Sequence, residues 1–140
     1  MQEELRNSEQ RFRMLFEHTP VALLEQDFTA VGAWLDELRA ACVTDLADYL
    51  AKHPGALEDQ RRRVRFKGLN RSALTMVGLT DLESFTQRVP EMATAEILEA
   101  FRQSLEALWL GRTRRVGELS YQDAAGRQRH CMMHWTVAPI

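Results

Sequence analysis

Residues 68–78 read Gly68-Leu69-Asn70-Arg71-Ser72-Ala73-Leu74-Thr75-Met76-Val77-Gly78. The residues that lead into this stretch, Val64–Leu69, predict a short strand with Val64 and Phe66 on one face. Asn70 is expected to cap a brief helix, because an asparagine side chain accepts a hydrogen bond from the first helical turn. Gly78 is expected to end that helix, because glycine adopts left-handed backbone angles at little cost.

Upstream of this stretch the periodicity is helical, interrupted by one short strand. Residues 3–18 predict a helix, and Val21–Phe28 predicts a strand. The spacing then becomes helical again and predicts two amphipathic helices within residues 31–50. The basic run over residues 61–67 predicts a solvated face rather than a nucleic-acid site. A mostly helical segment therefore separates the first strand from the second.

Downstream, the chain predicts a short helix, a long helix and a terminal hairpin. Leu82–Val89 predicts one or two helical turns that Pro90 ends, and Thr94–Leu110 has the clearest apolar helical face. Arg114–Gln122 and Arg127–Val137 alternate like the two strands of a hairpin. The residues expected on the core face of the last strand are Cys131, Met133, Trp135 and Val137. Helices that flank a mostly antiparallel sheet indicate an α+β domain.

Size and composition favour a single globular domain. The chain has 140 residues, of which 45% are hydrophobic and 27% are charged, and its formal net charge is −2. This balance gives no indication of binding to nucleic acid or to an anionic membrane. No apolar run approaches the ~20 residues of a bilayer span, and Met1–Arg13 is too polar for a signal peptide. Cys42 and Cys131 are expected to stay reduced, so a cytoplasmic location is predicted.

The side chains that most often bind metals or catalyse reactions do not cluster in the sequence. His130 and His134 lie on one face of a predicted strand, about 13 Å apart, and Cys131 points to the opposite face. A single metal ion needs its ligands within about 2 Å, so no metal site is expected. Glu25 and Asp27 have no evident partner acid or base. We therefore expect no catalytic residue and no cofactor.

The aromatic and sulfur-containing residues indicate either an ordinary core or a small-molecule pocket. At helical and strand spacings, a core is the more frequent outcome. The residues expected to line a pocket are Trp34, Met76, Trp109, Tyr121 and Met133.

Residues 68–78 resemble the signature of the PAS family, in which a strand ends at an Asn, an Ala follows three residues later and a Gly closes the helix. Ser8–Pro20 resembles the helix that leads into PAS modules of bacterial sensor histidine kinases and diguanylate cyclases. Leu98–Gly111 resembles the long connecting helix of the family, and Glu118–Arg127 resembles the hairpin that follows it. These segments occur in the family's order and cover nearly the whole chain.

The chain differs from the common PAS pattern at two places. The interval between the first two strands, Phe28–Val64, is longer than usual and helical, as in family variants with a helical insertion. After the hairpin no residues remain for the family's fifth strand, which lies beside the first. Its absence leaves a slot between Val21–Glu25 and Arg129–Val137, where buried unpaired backbone groups are costly. We expect the sheet to close, or a segment of another chain to fill the slot.

The resemblance implies a linker and dimerisation helix over residues 1–20 and a sensory domain over residues 21–140, with the insertion at about 29–63. Modules of this kind bind a small molecule or a partner and relay the signal through helical linkers to an output domain. The resemblance thus implies a part of a bacterial two-component or cyclase signalling protein. The family's haem-ligating and flavin-reactive motifs are not recognisable, so it transfers no cofactor.

Two alternatives stay open at this point. A small α+β cone of the nuclear-transport-factor-2-like type, either an enzyme or a binder, has about this size but needs a longer, strongly curved sheet. A structural dimerisation domain differs from the sensory module only in having a filled core.

The first helix indicates a homodimer. Its apolar residues recur at alternating spacings of four and three, as in the seam of a coiled coil. An apolar stripe that the domain core does not cover is an association surface. The residues expected at the dimer contact are Leu5, Phe12, Leu15 and Phe16.

Overall fold

Over residues 2–137, which the computed structural model describes, the chain forms seven helices and four strands. In chain order these are α1 (Gln2–His18), β1 (Leu24–Asp27), α2 (Thr29–Ala40), α3 (Leu46–Lys52), α4 (Ala56–Arg63), β2 (Arg65–Leu69), α5 (Arg71–Val77), α6 (Leu82–Met92), α7 (Ala95–Trp109), β3 (Arg114–Gln122) and β4 (Gln128–Thr136). Helices combined with antiparallel strands confirm the predicted α+β class.

The strands form two separate antiparallel ladders. In the first, β1 pairs with β2, with Leu24 opposite Leu69 and a register shift after Glu25. In the second, β3 pairs with β4 from Arg114 opposite Thr136 to Gln122 opposite Gln128. Within the described residues no hydrogen-bonded pairing joins the two ladders. One of the two outcomes expected for the slot was direct closure of the sheet. The described residues do not form such a closed sheet.

Side chains connect the ladders where backbone hydrogen bonds do not. Phe28 follows β1, and its ring lies 6.1 Å from the ring of Trp135 on β4 and 6.0 Å from the ring of Phe101 on α7. At the other end of the hairpin, the Ala124 amide donates to the Val77 carbonyl at the end of α5. The hairpin therefore contacts the residue that follows β1 at one end and the end of α5 at the other.

The first strand is shorter than predicted. It begins at Leu24, and residues 21–23 lie outside it. The reason is Asn70, whose side chain accepts from the Leu23 amide and donates to the Val21 carbonyl. Backbone groups that would otherwise form a ladder are satisfied by this one side chain.

The predicted capping signals operate around α5, and α7 has a cap that the sequence analysis did not identify. The Asn70 side chain accepts from the Ala73 amide at 2.9 Å, and Gly78 adopts a φ of 76°. Thr94 caps α7 through its hydroxyl oxygen, and Gly111, just past the end of that helix, has a φ of 74°. These residues fix where the helices begin and end, because they satisfy terminal backbone groups.

The helices differ from the sequence-based expectation at two places. The predicted end of α6 at Pro90 is wrong, because the helix continues to Met92. The proline lies in the last turn, where its missing N–H removes only one hydrogen bond. Helix α4 was not predicted, and the first residues of the basic run form its last turn; Arg62, Arg63, Arg65 and Lys67 are exposed, as expected of a solvated face. Acidic Glu58 and basic Arg61, at opposite ends of this helix, suit the helix dipole.

The helical insertion packs onto the domain, as predicted. Its core residues meet Leu105 of α7, which has no exposed surface. The buried residues that the insertion contributes are Val31, Leu35, Leu38, Leu46 and Leu50. A second cluster lies under β2, α5 and α6 and includes Leu69, Ala73 and Phe85. Burying each large apolar side chain stabilises the fold by ~1.5–3 kcal/mol.

Helix α1 contributes no fully buried residue. Leu5, Phe12 and Leu15 are 64%, 62% and 72% exposed, whereas Phe16 is half-buried against Gly68. No helix within residues 2–137 has both the length and the apolar character needed to cross a bilayer.

Candidate functional site

A cleft lies within the helical insertion, between α2, α3 and α4. Its volume is about 500 Å³. The residues that line it are Trp34, Tyr49, Lys52, His53, Pro54, Gly55, Ala56, Asp59, Gln60 and Arg63. A volume of this size suits a small molecule.

One wall of the cleft is aromatic. The rings of Trp34 and Tyr49 meet edge to face with their centroids 6.0 Å apart, and His53 stacks on Tyr49 at 4.0 Å. The Nδ1 atom of His53 lies 2.9 Å from the Tyr49 carbonyl oxygen. Because a carbonyl oxygen only accepts, this contact places a proton on Nδ1 and leaves Nε2 free for another partner.

One face of α4 also lines the cleft. Ala56, Asp59, Gln60 and Arg63 follow the spacing i, i+3, i+4 and i+7, which places them on the same side of a helix. Gln60 is only 2% exposed. No hydrogen-bond donor within the described residues reaches its Oε1 atom. A buried polar atom without a partner is rare in a folded protein, so this one marks an unusual position.

The charges around the cleft are unevenly paired. Lys52 Nζ lies 3.0 Å from the Asp48 carboxylate, and both side chains are exposed. Arg63 is exposed, and no carboxylate of residues 2–137 lies within 4.0 Å of its guanidinium. Arg61, by contrast, does not line the cleft, and its Nε donates to Glu58 at 3.1 Å. That hydrogen bond lowers the pKa of Glu58.

Of the five residues predicted to line a pocket, Trp34 alone lines this cleft. Trp109 lies under the Arg39 guanidinium, whose central carbon is 4.4 Å from the ring centroid. The Tyr121 hydroxyl is 3.4 Å from the Met76 carbonyl oxygen, so these two residues are brought together elsewhere. Met133 is half-buried on β4, on the face that was expected to be inward.

The residues considered for metal binding or acid–base chemistry are dispersed. His130 Nδ1 lies 2.8 Å from the Ser120 hydroxyl, and Cys131 is a half-buried free thiol whose pKa is raised by burial. Asp27 is held by Thr29, whose hydroxyl and amide both donate to it and lower its pKa. Across the described part of the chain, no three His, Cys, Asp or Glu side chains are placed to share a metal ion.

A second hollow, of about 250 Å³, lies beside the end of α7. Arg115 lines this hollow and donates to the Ala100 carbonyl at 2.9 Å and to Gln103 Oε1 at 2.9 Å. Burial lowers the pKa of this guanidinium. Arg115 therefore joins β3 to α7, and its donors are used within the fold.

Sequence reasoning did not identify Tyr49, His53, Gln60 and Arg63 as one group. One feature of the sequence could have indicated part of this group. Ala56, Asp59, Gln60 and Arg63 follow the spacing i, i+3, i+4, i+7 of one helix face, and Gln60 is uncharged among charged neighbours. Comparison of the chain with protein-family models, with curated proteins and with solved structures found no match in any of the three.

Proposed function

We propose that this chain is a PAS-type sensory or regulatory module of a bacterial signalling protein, located in the cytoplasm. The module binds a small molecule or a protein partner and passes the signal through helical linkers to an output domain. It does not itself catalyse a reaction. This proposal rests on the resemblance of residues 68–78 and on the element order, since no comparison supplies a family.

The observation that carries the proposal is the environment of Asn70. This residue has no exposed surface and bonds three backbone groups, of Val21, Leu23 and Ala73. An asparagine at the strand-to-helix junction thereby joins the segment after α1 to the short helix that the signature describes. The long helix and the hairpin follow in the order that the resemblance requires.

Helix α1 is the proposed linker and the proposed contact of a homodimer. Its apolar side chains at positions 5, 12 and 15 face solvent in the single chain. Its C-terminal end is tied to the domain, because the Ser72 hydroxyl donates to the Thr19 carbonyl at 2.7 Å. A change in the domain around α5 is therefore able to reach α1 directly.

The test uses the full-length product of the natural gene. Its output activity, either autophosphorylation or cyclic dinucleotide synthesis, is measured for the wild type and for a chain that lacks residues 21–137. We expect removal of the module to change the output several-fold. A reading frame without an output domain, or an output that is unaffected by the deletion, would contradict the proposed function.

A further inference from the structure

We propose that residues 2–13 of α1 are helical only when two copies of the chain pair through this helix. The inference rests on the homodimer of the proposed function and deepens it, because it states how that contact is regulated. The continuous helix Gln2–His18 is then the conformation of the paired state. In the unpaired chain the same residues lose their helical structure, so dimerisation and folding of the linker are a single event.

The domain holds α1 at its C-terminal end. The Phe16 ring lies against the backbone of Gly68, where an added Cβ would be 3.5 Å from it. Just past the helix, the Thr19 carbonyl accepts from the Ser72 hydroxyl at 2.7 Å. Residues 2–15, by contrast, are all exposed. A helix of this length gains most of its stability from packing, and this stretch buries no residue in the single chain.

The exposed stretch also has a weak point in its sequence. Asn7 and Ser8 are adjacent in the middle of it, and both side chains compete with the helix for backbone hydrogen bonds. Glu9 and Arg13 are four positions apart, which favours a helix, but one exposed pair of this kind contributes little. Local propensity therefore does not hold residues 2–13 in a helix without a partner.

The apolar stripe of α1 fits a second copy of itself. It follows spacings of three and four, which form the seam of a two-stranded coiled coil, through Leu5, Ser8, Phe12 and Leu15. A seam of this kind packs against a facing seam with the same spacing, and an identical helix provides one. The helix carries four glutamates and three arginines, so two copies are not driven apart by like charge. Pairing buries Leu5, Phe12 and Leu15 and supplies the packing that the single helix lacks.

Coupling of this kind makes the linker an order–disorder switch. The free energy needed to order residues 2–13 is drawn from the association, so it weakens the dimer. Only the paired chain has a rigid connection along α1 to the anchored end at Phe16. The helix propensity of a residue outside the seam must then change the affinity of the dimer, although that residue does not contact the partner.

The experiment varies helix propensity at Asn7, which is exposed and lies outside the seam. The dimer dissociation constants of Asn7→Ala and Asn7→Gly are measured by sedimentation equilibrium. We expect the alanine variant to dimerise about 10–30-fold more tightly, because the difference in propensity counts once in each chain. If α1 were already helical in the monomer, the difference would cancel and the two constants would be equal.

The matched control is the same pair of substitutions at Gln87, an exposed position of α6. Gln87→Ala and Gln87→Gly are expected to differ in unfolding stability but not in dimer dissociation constant, because α6 is packed on the domain in both states. Hydrogen exchange supplies a second readout. In the monomeric variant Leu5→Glu with Phe12→Glu, the amides of residues 6–13 are expected to exchange as fast as in an unfolded peptide, whereas those of α7 stay protected.

Equal dissociation constants for the two Asn7 variants overturn the inference and leave the homodimer standing. Strong protection of residues 6–13 in the monomeric variant overturns it as well. A wild type that is monomeric refutes the proposed homodimer, and the inference falls with it. The output of the full-length protein is measured separately, so failure of the signalling function is recognised independently.

Discussion

The side-chain amide of Asn70 donates to the backbone carbonyl of Val21, 2.8 Å away and 49 positions earlier in the chain. The same side chain accepts from the Leu23 and Ala73 amides, each at 2.9 Å. One buried residue therefore serves as a helix cap and as the tether of the segment that enters β1.

Asn70→Ala removes all three hydrogen bonds at once. We expect the free energy of unfolding to fall by about 2–4 kcal/mol, because a cap is lost and two further backbone groups lose their partner. Chemical denaturation measures the change. Thr75→Ala, an exposed polar substitution on the same helix, is the control and is expected to cost about 0.5 kcal/mol or less. A loss below about 0.5 kcal/mol for Asn70→Ala would mean that the junction is not held as described.

Gln60→Leu is expected to stabilise the protein. The substitution replaces a buried, unsatisfied amide by an apolar side chain of similar size, which is worth about 1–3 kcal/mol. Thermal unfolding compares the stability of this variant with that of Gln87→Leu, a matched substitution at an exposed position of α6. If Gln60→Leu destabilises the chain, the amide has a hydrogen-bond partner in solution.

Charge on α1 tests the proposed homodimer. Leu5→Glu combined with Phe12→Glu is expected to convert a dimer into a monomer in sedimentation equilibrium, because both side chains lie on the exposed apolar stripe. Met14→Glu combined with Leu110→Glu changes two exposed apolar residues outside that stripe and is expected to leave the dimer intact. A monomeric wild type, or an unchanged mass for the first variant, would refute the proposal.

Acid should weaken the hairpin turn through Asp123. The Arg127 amide donates to this carboxylate at 2.9 Å and lowers its pKa, with support from the Ala125 amide. A carboxylate whose folded pKa is lowered stabilises the fold above its unfolded pKa of about 3.9 and loses this contribution as the pH falls. Asp123→Asn is therefore expected to destabilise the protein more at pH 7 than at pH 2.5.

Glu118→Gln, on the exposed face of the same hairpin, is the control for the acid experiment. Its effect on the unfolding midpoint is expected to be small at both pH values. Equal destabilisation by Asp123→Asn at pH 7 and at pH 2.5 would show that the charge of Asp123 contributes nothing to the turn.

Local signals in the sequence predict much of this fold. Asn70 and Gly78 act within one helical turn, so their effects are encoded by neighbouring residues and were predicted. The hairpin turn at Gly126, which has a φ of 81°, is likewise determined by neighbouring residues. Strand boundaries are different, because β1 begins at Leu24 and not at Val21 through hydrogen bonds to Asn70, which lies 49 positions after Val21.

The candidate cleft was predicted only in part, because it forms where three helices pack. Trp34 was among the predicted pocket residues, but Gln60 lies in a polar helix whose pattern resembles a solvated surface. The periodicity of a polar helix does not indicate which neighbouring helix it packs against, and only the packing reveals that Gln60 lines the same cleft as Trp34 and Tyr49.

The central claim is that this chain is a PAS-type module, in which a further strand belongs beside the first strand and the hairpin. Within residues 2–137, β1 pairs only with β2 and β4 only with β3, and residues 138–140 lie outside the described part. An open strand edge of this kind gains hydrogen bonds and burial when another strand is added.

The most direct measurement compares the melting temperature of residues 1–140 with that of the same chain extended by the following codons of its natural reading frame. We expect a melting temperature at least about 4 °C higher for the longer chain, corresponding to about 1 kcal/mol for a domain of this size. An equal or lower melting temperature, or a reading frame that stops at Ile140, would contradict the PAS assignment.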